Sequence, residues 1–233
     1  METVWRTSKS RFNPNNKIIM KPINTYIDHT LLKATTTPEE ISQLCNEAID
    51  QQYYAVCISG FYTAFAKAVL EKSPVKIVTV IGFPFGTDTT STKVFETQEA
   101  IANGTHEIEM VLNIGVLKAG YLKQVKEDIA AVRNASQHKI LKVILENCYL
   151  TDREKRIACR ICLDTGVDFI KTSTGFGSGG ATIKDMKLIK SEVGNDIKIK
   201  ASGKINNIEN VHQFIRLGAD RIGTSSALQM IEN

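Results

Sequence analysis

The chain has 233 residues, 42% hydrophobic and 23% charged, which is enough apolar material to close one sizeable core and excludes a disordered or fibrous chain. Its net charge of +4 is concentrated in residues 1–21, where Arg6, Lys9, Arg11, Lys17 and Lys21 are opposed by Glu2 alone; the rest carries 24 basic and 24 acidic side chains, so no nucleic-acid partner is expected. No apolar run approaches the roughly 18 residues needed to span a bilayer and no secretory signal is present, which points to a soluble, cytoplasmic protein without a membrane partner.

Residues 1–20 are polar, Asn-rich and aperiodic, and read as a basic, disordered extension ahead of a single domain over 21–233. β-Rich runs then recur at "YIDHTLL" (26–32), "YAVCIS" (54–59), "KIVTVIGF" (76–83), "HEIEMVL" (106–112), "ILKVILEN" (140–147), "DFIKTS" (168–173), "IKIKAS" (197–202) and "RIGTSS" (221–226). Helical segments lie between them. Thr37, Pro38 and Glu40 form a capping box with proline at the first helical position, and Thr151 with Glu154 forms a second. "FETQEAIANG" (95–104) reads as an amphipathic helix that packs Phe95 and Ile101 on the sheet, with Lys93 near the site. Cys159 and Cys162 recur with their neighbours at helical spacing, so they are expected in the core rather than as a redox or zinc pair. Gly104, Gly166 and Gly218 end three helices just before strands. Eight strand–helix repeats, with starts 22 to 34 residues apart, predict an α/β fold made of a single (β/α)8 TIM barrel.

A barrel strand has helices on one face and packed side chains on the other, so charges on strands need a reason. Alternation groups Lys171 with Phe169 and Ser173, Lys198 with Lys200, Glu107 with Glu109, Lys142 with Glu146, and leaves Asp28 on the first strand. If these faces point inward, the barrel holds interleaved lysines and carboxylates. A purely structural ion-pair network is one reading, and the one preferred for Lys198 and Glu107 near the bottom of their strands. Apolar replacements are often equally stable, however, so structure alone does not demand so many charges. Lys171 and Lys200 fall near the C-terminal ends of adjacent strands, where barrel enzymes place their chemistry. Burial and a neighbouring cation both favour a neutral, nucleophilic lysine, which suits a Schiff base to a carbonyl.

Glycine-rich turns follow the last three strands: "TGFGSGG" (174–180), "SGK" (202–204) and "GTSS" (223–226). Bare amides at helix starts bind phosphate, and barrels commonly assemble that site from their last loops. Lys204 could add a cation.

The motifs "YIDHTLLK", "VIGFPFG", "EIEMVLNIG", "LKVILE", "DFIKTSTGF" and "IKASG", in this order between Tyr26 and Ala227, resemble the deoxyribose-phosphate aldolase family. The resemblance implies a class I aldolase, independent of metals and cofactors, that reversibly cleaves 2-deoxy-D-ribose 5-phosphate to D-glyceraldehyde 3-phosphate and acetaldehyde through a lysine Schiff base. It implies Lys171 as the Schiff-base lysine and Lys200 as the lysine that tunes it and relays protons. Glu109 falls on the family's proton-relay aspartate, and Asp28 on its strand-one aspartate. Substrate and phosphate binding is implied at Thr172, Gly175, Phe176, Gly177, Gly203, Lys204, Gly223 and Ser225. Family members often pair, so a homodimer is expected.

Several positions depart from the family pattern. Glu109 is one methylene longer than aspartate, "SGKIN" stands where "SGG[IV]R" is usual, "CISG" replaces "CVNP", and "LENC" replaces "IET". The sequence also ends directly after its last predicted helix, from which weaker aldehyde positioning is expected. These departures motivate an alternative reading, a phosphosugar-binding barrel that has lost its chemistry. Metal chemistry is disfavoured because His29, His106, His138 and His212 are scattered without ligand spacing; only His29, beside Asp28, is expected to approach the site.

Overall fold

The computed structural model describes residues 21–231, so the expectation for residues 1–20 lies outside it. Eight parallel strands close a barrel in sequence order. The first half runs β1 (Ile27–Leu31), α1 (Pro38–Asp50), β2 (Ala55–Ser59), α2 (Thr63–Val69), β3 (Lys76–Ile81), α3 (Thr90–Ala102) and β4 (Glu107–Val111). Two helices, α4 (Ile114–Lys118) and α5 (Leu122–Ala135), lead to β5 (Ile140–Ile144) and α6 (Asp152–Asp164). The last loops belong to β6 (Phe169–Lys171), α7 (Ile183–Val193), β7 (Lys198–Ser202), α8 (Ile208–Arg216), β8 (Arg221–Thr224) and α9 (Ala227–Ile231).

Local chemistry sets these boundaries. Thr37 and Glu40 exchange side-chain and backbone hydrogen bonds at the start of α1, and Thr151 and Glu154 do the same for α6. Each capping interaction stabilises its helix by about 1 kcal/mol. Gly104, Gly166 and Gly218 follow α3, α6 and α8 with φ of +97°, +67° and +94°, which a residue without Cβ adopts at little cost.

Strand alternation divides the core in two. Outward residues such as Val56, Ile77, Ile108, Val143, Ile170 and Ile199 pack against the helices in one large apolar cluster. Inside the barrel the apolar cluster is small, Ala55, Cys57, Val78 and Val80 on β2 and β3, with Leu32, Tyr54 and Phe83 beside it. Cys159 and Cys162 are fully buried on α6, and burial pushes the Cys159 thiol up to about 12.

Three expectations fail for reasons of geometry. On α3 the buried face runs through Lys93, Thr97 and Ala100, spaced four and three residues apart; Phe95 is two residues off that stripe and is 65% exposed, while Ile101 does pack on the core. Lys93 does not reach the barrel mouth: its buried ammonium donates to Asp128 at 2.6 Å and to the Val111 carbonyl at 3.2 Å. His29 follows the inward Asp28 and therefore points outward, where Nε2 meets Glu47 at 2.7 Å and the ring sits edge-on to Tyr53.

Candidate active site

The barrel register sets the charged side chains beside one another. Lys171 on β6 is opposite Lys200 on β7, Glu109 on β4 is opposite Lys142 on β5, and Asp28 on β1 is opposite Gly223 on β8. Asp28, Glu109, Lys142, Lys171 and Lys200 are all buried. The Glu109 carboxylate is their hub. One oxygen accepts from Lys171 Nζ at 2.6 Å; the other accepts from Lys200 Nζ at 2.6 Å and Lys142 Nζ at 3.1 Å. Asp28 Oδ2 lies 2.6 Å from Lys200 Nζ and 3.2 Å from Lys142 Nζ. The Cys57 thiol is 3.5 Å from Glu109 on the remaining side.

Burial works against the charges of Glu109, Asp28, Lys200 and Lys142, and for these four the opposite charges outweigh it. Desolvation would lift Glu109, but Lys171, Lys200 and Lys142 hold its carboxyl well below the usual range. Burial acts likewise on Asp28, where Lys142 and Lys200 prevail and lower it. Desolvation would depress Lys200, yet Asp28 and Glu109 raise it above the ordinary lysine value. Lys142 is raised well above that value, against its own burial, by Asp28, Glu109 and Glu107. The sequence suggested Lys200 as a bare second cation beside Lys171. The structure inserts Glu109 between them, so the two amines communicate through one carboxylate.

Above the cluster a cavity of about 230 Å³ opens at the C-terminal end of the barrel. Of the buried charges just named, Lys171 alone lines it. Gly175, Phe176, Gly203, Lys204, Gly223 and Ser225 line it as well, drawing the loops after β6, β7 and β8 to one place. These loops are laced together: the Ala181 amide donates to the Ser202 and Gly203 carbonyls, and Gly180 approaches Gly203 so closely that a Cβ there would lie 2.1 Å from the carbonyl oxygen. Gly223 also makes room below, since a Cβ on it would lie 2.8 Å from Lys200 Cε.

Two predicted binding residues stand elsewhere. Thr172 is buried between strands, its hydroxyl donating to the Ser202 carbonyl and accepting from the Ser202 amide. Gly177 sits against Cys148 and Glu146, where a side chain would not fit. Lys204 occupies the left-handed region at φ +56°, a conformation that favours glycine, and its ammonium donates to the Ser178 carbonyl.

Other residues enter the site that spacing did not single out. Lys142 was legible as an inward strand charge, but its contact with Asp28 on the far side of the sheet required the closed barrel. Thr30, Lys33, Ser202 and Thr224 also line the cavity; they fall inside motifs quoted above, but nothing in the spacing gave them a role of their own. Glu146 was read as a strand residue sharing a face with Lys142. The strand ends at Ile144, and Glu146, at φ +52°, turns to accept from the amide and hydroxyl of Thr174 in the glycine loop.

An amine that lines a loop-bordered cavity and is hydrogen-bonded to a carboxylate shared with a second amine is suited to imine chemistry on a carbonyl compound. Comparison with known proteins agrees. Residues 23–206 match the family model described as "DeoC/LacD family aldolase". The chain is 47% identical over 209 residues to a deoxyribose-phosphate aldolase of Brevibacillus brevis, covering 90% of this chain and 95% of that protein. It is 48% identical over 214 residues to the one of Clostridioides difficile, covering 92% and 97%. Among solved structures, "QR15, an Aldolase" superposes with a TM-score of 0.88 at 38% identity, covering 91% of this chain and 96% of that one. A tetrameric deoxyribose phosphate aldolase from Aeropyrum pernix gives 0.83 at 28% identity, covering 90% and 89%. With motifs, barrel and relatives in agreement over nine-tenths of its length, the chain belongs to the DeoC/LacD family of aldolases.

Proposed function

We propose that the protein is a class I deoxyribose-phosphate aldolase, reversibly cleaving 2-deoxy-D-ribose 5-phosphate to D-glyceraldehyde 3-phosphate and acetaldehyde through a Schiff base on Lys171. One observation carries this: Lys171 reaches the cavity while its Nζ stays within 2.6 Å of Glu109, which is in turn 2.6 Å from Lys200. In this reading the Lys171 amine attacks C1 of the open-chain sugar and a water leaves, giving a protonated imine. The C3 hydroxyl then gives up its proton and becomes the new aldehyde. The C2–C3 bond breaks, and its electron pair moves into the imine as an enamine. Protonation of the enamine carbon and hydrolysis by one water release acetaldehyde and restore the amine. Glu109, hydrogen-bonded to both lysines, carries protons between these steps together with Lys200, which Asp28 holds at 2.6 Å.

In the same reading the phosphate binds at the loops of Gly175, Gly203, Gly223 and Ser225, residues that all line the cavity. Phe176 forms its side wall and Lys204 its rim. Glu109 is longer than the family's aspartate, and both lysines lie at hydrogen-bonding distance from it, which supports a working relay. A cytoplasmic location and pairing into a homodimer complete the proposal. All five cysteines are free thiols, as a reducing compartment favours, and among the described residues no helix is long and apolar enough to cross a membrane.

Borohydride reduction in the presence of acetaldehyde, followed by peptide mapping, should add the mass of an ethyl group at Lys171. Cleavage at the wild-type rate by Lys171→Ala would overturn the mechanism. The left-handed Lys204, where a glycine is usual, favours one other reading, a phosphosugar binder without turnover. Saturable binding of the sugar phosphate with no acetaldehyde released would support that one.

A further inference from the structure

The buried charge does not end at the catalytic amines. Lys142 Nζ lies 2.6 Å from Glu107 Oε2, closer than to Glu109 at 3.1 Å or Asp28 at 3.2 Å. The other oxygen of Glu107 accepts from the Tyr54 hydroxyl at 2.7 Å. The Tyr54 ring in turn carries the Arg221 guanidinium, its central carbon 3.4 Å from the ring centroid. Tyr54 and Arg221 are half-buried at the N-terminal mouth of the barrel, opposite the substrate cavity. A continuous line of ionisable groups therefore runs from Lys171 at one mouth to Tyr54 at the other.

Lys142 divides one positive charge among three carboxylates, of which only Glu109 touches Lys171. We propose that Glu107 and Tyr54 are positioning residues: Glu107 holds Lys142 from below, limits how much of its charge falls on Glu109 and so keeps Glu109 basic enough to move protons for Lys171, while the Tyr54 hydroxyl tempers the pull of Glu107. This rests on the Schiff-base reading of Lys171. The groups that face Glu109 are Lys171 from β6, Lys200 from β7, Lys142 from β5 and the Cys57 thiol from β2. The groups that face Lys142 are Asp28 from β1, Glu107 and Glu109 from β4, and the Phe169 ring 5.7 Å away on β6. Glu107 is held in turn by Tyr54 from outside the cluster, and Asp28 meets Arg221 Nε at 3.8 Å.

The two residues are predicted to act in opposite directions. Without the charge of Glu107, Lys142 is shared by Glu109 and Asp28 alone, and Glu109 becomes a weaker base. Without the Tyr54 hydroxyl, Glu107 keeps its full charge, draws Lys142 down, and leaves Glu109 a stronger base.

The test separates proton transfer from imine formation. Deuterium uptake into the methyl group of acetaldehyde in D2O reports protonation of the enamine, and borohydride trapping on the same samples reports the imine at Lys171. Glu107→Gln is expected to slow deuterium uptake by roughly tenfold, the effect of about one pKa unit on a transferring base, with KM and trapping near wild type. Tyr54→Phe is expected to exchange about twofold faster than wild type, the scale of part of one hydrogen bond. Exchange by Glu107→Gln at the wild-type rate, exchange and trapping lost in parallel, or slowing by Tyr54→Phe would each overturn the proposal. If Glu107→Gln fails to fold, Tyr54→Phe decides alone, a slower rate overturning and a faster one supporting. Absence of trapping in the wild-type protein would instead remove the Schiff-base reading itself.

Discussion

Gly223→Ala perturbs the site with the smallest possible side chain. An added Cβ would lie 2.8 Å from Lys200 Cε, 3.0 Å from Ser202 Cβ and 3.6 Å from Lys200 Nζ. Carbon atoms rest at about 3.5–4.0 Å, so the Lys200 tail must move by about 1 Å. Toward Lys200 the move is sterically cheap, because Cε belongs to the far end of a flexible chain, although Ser202 Cβ at 3.0 Å is fixed to β7. Electrostatically it is not, because Lys200 Nζ is held at 2.6 Å by both Asp28 and Glu109. A misplacement of about 1 Å in a catalytic array costs up to about a hundredfold in rate, or about 2.7 kcal/mol of barrier. Overpacking costs the fold about 1–3 kcal/mol. The expected result is therefore a kcat for deoxyribose-phosphate cleavage lower by roughly 30- to 100-fold, in a protein whose thermal midpoint falls by only a few degrees. Steady-state acetaldehyde release, with a melting curve on the same sample, checks both. A kcat within twofold of wild type would mean that the position of Lys200 does not govern turnover.

Glu146→Ala frees the Thr174 amide and hydroxyl that position the glycine loop. Hydrogen bonds to a charged group contribute about 1.5–3 kcal/mol, so KM for the phosphosugar is expected to rise by roughly 10- to 100-fold with a smaller change in kcat. Competition by inorganic phosphate, weakened in parallel, would locate the effect at the phosphate loops. Stability against pH follows from the carboxylates. Glu109 is held well below its ordinary value of 4.5, so the stability it adds is complete above 4.5 and is lost as pH falls through its folded value. Glu109→Gln, which cannot titrate, should therefore lose stability less steeply on acidification below 4.5, by up to about 1.4 kcal/mol per pH unit in urea titrations. Equal slopes for the two proteins would refute a depressed Glu109.

Much of the site could be read from residue order. Period-two alternation assigned Asp28, Glu109, Lys142, Lys171 and Lys200 to one face of their strands, and the glycine clusters marked three loops on consecutive strands. Alternation fails where a strand stops. Glu146 shares the parity of Lys142, but the chain turns left-handed after Ile144, so its carboxylate serves the loop instead of the cluster. Helix periodicity fails in a similar way for Phe95, whose apolar character suggested burial although the buried stripe of α3 runs through Lys93 and Thr97. Apolarity names the residues that gain from burial, but the neighbouring helix and its Asp128 decide which stripe is covered.

The sequence by itself determined the repeat of strand and helix, the caps that end the helices, and which face of each strand carries charge, because these depend on residues within a few positions of one another. Only the closed barrel decided that Glu109 sits between Lys171 and Lys200, that Lys142 bridges Asp28 and Glu107, and that Gly223 leaves space for Lys200. Those contacts join strands up to 114 positions apart in the chain, and their distances follow from the register in which β8 returns to pair with β1. Local pattern can place a charge on a strand, but which charges meet depends on how the sheet closes.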